Sequence, residues 1–159
     1  MDFILKYRTL VLVVLALNVV GAVLVLFWPF GGMLVTTAYG PAERFAGLGR
    51  GYNEGLDLVL VILVGASLIV SALLSFILFN TMGSDQRRTI KVATVVAVVT
   101  LLLTIIAGVQ FNIVRSGSDY YLDWWLDTGF YAGIVVGLLD SIFYTLVSTK
   151  ARRSGALQP

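Results

Sequence analysis

An all-α, polytopic membrane protein, a four-transmembrane-helix bundle with both termini cytoplasmic, is the fold class this sequence predicts. Three observations predict it. Four apolar stretches, Thr9–Phe30, Leu56–Phe79, Val92–Val114 and Phe130–Ser148, take up most of the 159 residues. Each approaches the roughly 20 residues that cover about 30 Å of hydrocarbon at 1.5 Å per residue. The hydrophobic fraction is 58 % and the mean hydropathy +0.94, against about 45–50 % apolar in a soluble domain. Third, the basic residues are distributed unevenly. Lys6, Arg8, Arg87, Arg88, Lys91, Lys150, Arg152 and Arg153 fall at the N-terminus, in the second loop and at the C-terminus. Arg44, Arg50 and Arg115 share the first and third loops with Glu43, Glu54, Asp57, Asp119, Asp123 and Asp127. The positive-inside rule then places both termini and the second loop in the cytoplasm, as four alternating spans require. The expected organisation is a single membrane domain over residues 1–159, multi-pass and integral to a membrane.

Along the chain, Met1–Arg8 reads as an amphipathic lead-in whose Lys6 and Arg8 reach lipid head groups. The apolar run after it exceeds the 7–15 residues of a signal-peptide core and has no small-x-small cleavage site, so it is expected to be a retained span. It ends at Trp28-Pro29-Phe30-Gly31-Gly32, where Pro29 stops the helix and the aromatic residues mark the outer interface. In the first outer loop, Gly32–Tyr39 reads as a short strand or an interfacial segment, and Pro41–Arg50 as a helical turn opened by Pro41. Asp57 falls in the first turn of the second span, where the helix dipole favours a carboxylate. Asn80–Arg88 makes a tight cytoplasmic turn, with Ser84 or Asp85 as N-cap of the third helix. In the last outer loop, Tyr120, Tyr121, Trp124 and Trp125 recur at helical spacing with Asp119, Asp123 and Asp127. This predicts an interfacial helix at about 119–127 or, equally, the aromatic belt of the fourth span. Ser154–Pro159 is a polar tail.

Composition excludes several kinds of chemistry. Cysteine and histidine are both absent. Disulfides, thiolate nucleophiles, imidazole metal ligands and His-based acid–base catalysis are therefore not available. No residue cluster has metal-ligand spacing, no glycine-rich loop has a phosphate-binding context, and no basic patch of nucleic-acid type occurs. The chain is expected to be non-enzymatic, without cofactor or metal and without nucleic-acid partner. Its expected partners are membrane lipids, other membrane-protein subunits, or further copies of itself.

Two features inside the spans remain as candidates. The first is a set of small-residue stripes, through which helices approach closely in lipid. Gly129, Gly133, Gly137 and Ser141 form the clearest, a helix-packing or oligomer face on the fourth span. Ser67, Ser71 and Ser75 lie on the second span, and Thr100, Thr104 and Gly108 on the third. The second feature is Asp140, the acid within the fourth span, costly at a bilayer centre by about 2.5–3.5 kcal/mol. Counted from the cytoplasmic side, Asn18, Ser71, Thr100 and Asp140 each lie eight or nine residues in, about 12–13 Å deep. They form a candidate intramembrane polar layer. Asp140 has three readings: it fixes helix packing through Asn18, Ser71 or Thr100; it binds a polar or basic group of another subunit; or it carries ions or protons.

Two inside termini, four spans and a short middle loop resemble the broad tetraspan arrangement of the MARVEL, claudin and tetraspanin groups, over the whole chain and at the level of topology. Claudins carry a Trp and paired cysteines in the first outer loop, and tetraspanins a Cys-Cys-Gly motif in a large second one. This chain has no cysteine and a short second outer loop. Asn18 is similar in kind to the polar residue that tetraspanins place in the first span. The resemblance implies an architecture and no particular activity. The expected function is a structural, scaffold or accessory subunit of a membrane assembly. The alternatives are a small oligomeric channel or transporter using Asp140, and an outer-face lipid or ligand binder using the Tyr120–Trp125 segment.

Overall fold

The structure is a computed structural model that describes residues 2–48, 55–81, 87–117 and 120–153. In chain order it comprises α1 (Asp2–Phe27), β1 (Gly31–Thr37), β2 (Gly40–Ala46), α2 (Leu56–Asn80), α3 (Arg87–Ser116), β3 (Tyr121–Leu126) and α4 (Thr128–Arg153). The Val- and Ile-rich runs are helical because a helix satisfies its own backbone groups within one segment, whatever surrounds it. Four segments are long and apolar enough to cross a membrane: Arg8–Phe27, Leu56–Asn80, Arg88–Ser116 and Thr128–Thr149. They match the four stretches read from the sequence, with the first ending at Phe27 rather than Phe30 and the third beginning at Arg88 rather than Val92. Large apolar side chains such as Val20, Leu73, Val95, Ile113 and Leu146 point outward from them. Each helix packs on its sequence neighbours, and α1 also packs on α4, closing the bundle into a ring.

The fold departs from the all-α expectation at one end of the bundle, where β1, β2 and β3 form a three-stranded sheet in the order β2-β1-β3. Both pairings are antiparallel, with Met33 between Arg44 and Trp124, and a bulge follows Leu34 on the β3 side. The β1–β2 hairpin turns at Ala38-Tyr39. Gly40 takes φ 108° there, and Thr37 Oγ1 accepts from the Tyr39 N–H at 3.2 Å and donates to the Gly40 carbonyl at 2.6 Å.

Two sequence expectations are thereby corrected. The segment about 119–127 is not an interfacial helix, because Tyr121–Leu126 is strand β3. Six residues are too few to hold a helix unaided, aromatic residues suit a pleated surface, and β1 offers a partner strand from far away in the chain. Helical spacing and strand alternation coincide over so short an aromatic run. Nor is the segment from Pro41 a helical turn: Gly40–Ala46 is the edge strand β2, a place where Pro41's missing N–H is tolerated. Of the two readings of Gly32–Tyr39, the strand is the one adopted, as β1. Ser84, Asp85, Asp119 and Ser154–Pro159 lie outside the described residues.

The bundle interior is built in layers. Toward the sheet, Ala22, Val25, Phe30, Leu60, Val61, Val64, Leu68, Ala107 and Val136 form one apolar cluster. Toward the α2–α3 turn, Val11, Val14, Leu78, Ile90, Ala93, Ala97 and Tyr144 form a second. On every helix the polar residues of interest fall between these clusters. A third cluster, Met33, Val35, Ala46 and Phe111, seats the sheet on the end of the bundle.

Candidate functional site

The layer between the two apolar clusters gathers one polar side chain from each helix. Asn18, Ser71, Thr100 and Asp140 are all buried, none more than 1 % exposed. They are not one continuous network. Ser71 Oγ donates to Asp140 Oδ2 at 3.0 Å, joining α2 to α4. Asn18 lies against the Asp140 carboxyl, while its Nδ2 donates to the Val14 carbonyl one turn back at 2.9 Å. Thr100 instead joins α3 to α2: its hydroxyl faces Ser67 Oγ at 2.9 Å and its own helix's Val96 carbonyl at 2.9 Å. Thr100 is thus in the layer without touching Asp140.

One turn below Asp140, Tyr144 extends the polar contacts. Its hydroxyl lies 2.6 Å from Ser75 Oγ. Ser75 gives its single proton to the Ser71 carbonyl at 2.8 Å, so Tyr144 is the donor of the pair. The sequence holds the signal for Tyr144, which follows Asp140 by four residues and so shares its helix face. Two acceptors in this region have no donor: Asn18 Oδ1 and Asp140 Oδ1 are buried without a hydrogen-bond partner.

The glycine face of α4 is spent inside the chain. A Cβ on Gly133 would meet Thr104 Cγ2 at 2.8 Å, one on Gly137 would meet Leu101 Cα at 3.1 Å, and one on Gly129 would meet the Pro29 carbonyl oxygen at 3.0 Å. Ser141 Oγ donates to the Gly137 carbonyl at 2.7 Å within the same helix. The face therefore sets the approach of α4 to α3 and to the α1–β1 junction.

At the sheet end, Tyr120, Tyr121, Trp124 and Trp125 divide between two faces. Trp124 and Tyr121 pack inward beside Met33, Val35 and Phe111, and Trp124 Nε1 donates to Asn112 Oδ1 at 2.9 Å. Trp125 lies on the opposite face, edge-on to Phe45 with ring centroids 6.3 Å apart. It crosses Gly32, where any Cβ would lie 2.3 Å from the indole. Tyr120 precedes the strand and is exposed.

Sequence reasoning missed the ion pair beneath this sheet. Arg115 Nη1 lies 2.8 Å from Asp57 Oδ2, with side chains 2 % and 5 % exposed. The same Nη1 donates to the Phe111 carbonyl at 2.9 Å, and the guanidinium carbon stands 3.5 Å from the Phe111 ring centroid. Arg115 thereby ties α2 to α3 and braces the base of β3. The available signal was one cation at the end of α3 facing one acid at the start of α2 across an antiparallel hairpin.

Chemically the layer offers one carboxyl, one amide and several hydroxyls. Among the described residues no group of three or more His, Cys, Asp or Glu side chains is placed to hold a metal ion. Compared with protein-family models, curated proteins and solved structures, the chain matches none.

Proposed function

We propose that the protein is a non-catalytic integral membrane subunit, inserted with both termini in the cytoplasm, whose role is to hold its three-stranded sheet on the outer face as an assembly surface. The observation that carries this reading is the way the sheet is mounted. It rests on Phe111, is pinned by the Trp124–Asn112 hydrogen bond, and is braced by the Arg115–Asp57 pair. Among the described residues, β2 and β3 flank the sheet and each is paired with β1 alone. Strands of this kind are ready templates for pairing with another chain. The glycine face and the polar layer, by contrast, are occupied by internal packing, so a partner docks more readily on the sheet than on the α4 stripe. The transport reading receives less support, since Asp140 is buried against Asn18 and Ser71 and, among the described residues, has no second acid or base beside it.

The cysteine-free sequence makes the test clean. Single cysteines at Leu122 and Glu43, both exposed on the flanking strands, should give cross-linked products of one defined mass in native membranes. A cysteine at the hairpin tip, Tyr39, serves as the exposed control. Equal, diffuse cross-linking at all three positions, or none, rules the assembly surface out. Proton or ion flux in liposomes that Asp140→Asn abolishes would move the assignment to transport.

A further inference from the structure

Asp140 is buried and, among the described residues, has no counter-charge. The other buried charges among the described residues, Asp57 and Arg115, are paired with each other at the sheet end. What surrounds the Asp140 carboxyl is an amide, Asn18, and a hydroxyl, Ser71, with the Tyr144 and Ser75 hydroxyls one turn away engaged with one another. Ser71 supplies a donor to Oδ2, but no donor reaches Oδ1, and the adjoining Asn18 Oδ1 has none either. Each buried polar atom left without a partner loses its hydration with nothing in return. A lone carboxylate in hydrocarbon costs more and is relieved most simply by neutralisation.

The layer thus has two acceptors too many, on side chains that touch. One hydrogen on Asp140 Oδ1 would remove the first deficit directly, and the adjoining Asn18 Oδ1 is the unpartnered acceptor available to it. The acid becomes neutral, its new O–H has the Asn18 carbonyl oxygen as acceptor, and Oδ2 still accepts from Ser71. We infer that the α1–α2–α4 junction is a proton-binding site: Asp140 holds a proton as a structural ligand and donates it to Asn18 Oδ1. This inference is independent of what the sheet binds. A sodium-sized cation is the other species that two unpartnered buried oxygens would take, and the test distinguishes the two.

The experiment is infrared difference spectroscopy of the full chain in lipid, wild type against Asp140→Asn at neutral pH. The expected result is one protonated-carboxyl C=O band present in the wild type and lost in the variant. Asn18→Leu, which removes the acceptor, and Ser71→Ala, which removes the donor to Oδ2, should each shift that band without abolishing it. These two variants keep the question answerable if Asp140→Asn does not fold. Unfolding temperature gives a second readout. Asp140→Asn, which matches the neutral acid in shape and supplies an N–H, should unfold within about 4 °C of the wild type, and Asp140→Leu about 4–8 °C lower. Ionised-carboxylate bands alone in the difference spectrum, a band indifferent to Asn18→Leu, or a rise in unfolding temperature specific to Na⁺ over choline would each overturn the inference.

Discussion

Two acids, Asp57 and Asp140, are buried in the same bundle and are accommodated by opposite means. At the sheet end, Asp57 meets a guanidinium that also hydrogen-bonds the Phe111 carbonyl and stacks on the Phe111 ring. In the middle of the bundle, Asp140 meets a serine hydroxyl and an amide, and no cation among the described residues. The difference follows position. Asp57 lies in the first turn of α2 and Arg115 in the last turn of α3, where a long side chain reaches across a helix end. Asp140 lies mid-helix, where a lysine or arginine partner would itself have to be desolvated. One acid is a charged clamp and the other a neutral hydrogen-bonding hub.

The comparison is broken most severely by removing Arg115. Arg115→Met leaves Asp57 buried and unpaired, and such a loss costs about 3–5 kcal/mol. Adding Asp57→Leu should restore much of the stability, because the orphaned charge then goes too. A double variant no more stable than Arg115→Met, measured by unfolding in mild detergent, would show that Arg115 acts through its stacking on Phe111 alone. Next in size, Asp57→Asn should cost about 1.5–3 kcal/mol, the value of a hydrogen bond to a charged group. Asp140→Asn should cost less than about 1 kcal/mol, and the ratio between these two amide substitutions is the sharpest expression of the contrast. Gly137→Leu, by forcing a side chain against the α3 backbone at Leu101, should cost about 1–3 kcal/mol and splay α4 from α3. The smallest expected effect is Thr100→Val, about 0.6 kcal/mol for one interhelical hydroxyl contact in a membrane bundle. It should leave every property of Asp140 unchanged, since Thr100 bonds Ser67 and not the carboxyl.

The helices were legible in the sequence because hydrophobic length is a local property, read without knowing what packs on what. The depth of Asn18, Ser71, Thr100 and Asp140 was legible for the same reason: helical rise is constant, so counting residues gives height. Which of the four touch was not legible, because rotation about each helix axis decides it. Thr100 turns toward Ser67, and Ser71 toward Asp140. The sheet was the least legible part. Strands β1 and β3 are separated by more than 80 residues in the chain, and Tyr121–Leu126 carries aromatic residues that satisfy a helix wheel and a pleat equally. Gly31 and Gly32 read as a chain release after Pro29, whereas they make room for the Phe111 ring and the Trp125 indole. Arg115 was counted as a loop charge, since an antiparallel hairpin sets the end of α3 beside the start of α2 without showing which side chains turn toward each other.

The central proposal, that the sheet end is an assembly surface, is tested most directly by the mass of the protein extracted from its own membrane in mild detergent and measured by native mass spectrometry. The comparison is between the wild type and a variant carrying Glu43→Lys and Leu122→Lys, exposed positions on the two flanking strands. The account predicts a wild-type complex of defined stoichiometry and a lone chain of unchanged helical content for the variant. A wild type that flies as a monomer, or a variant that keeps the wild-type complex, would contradict it.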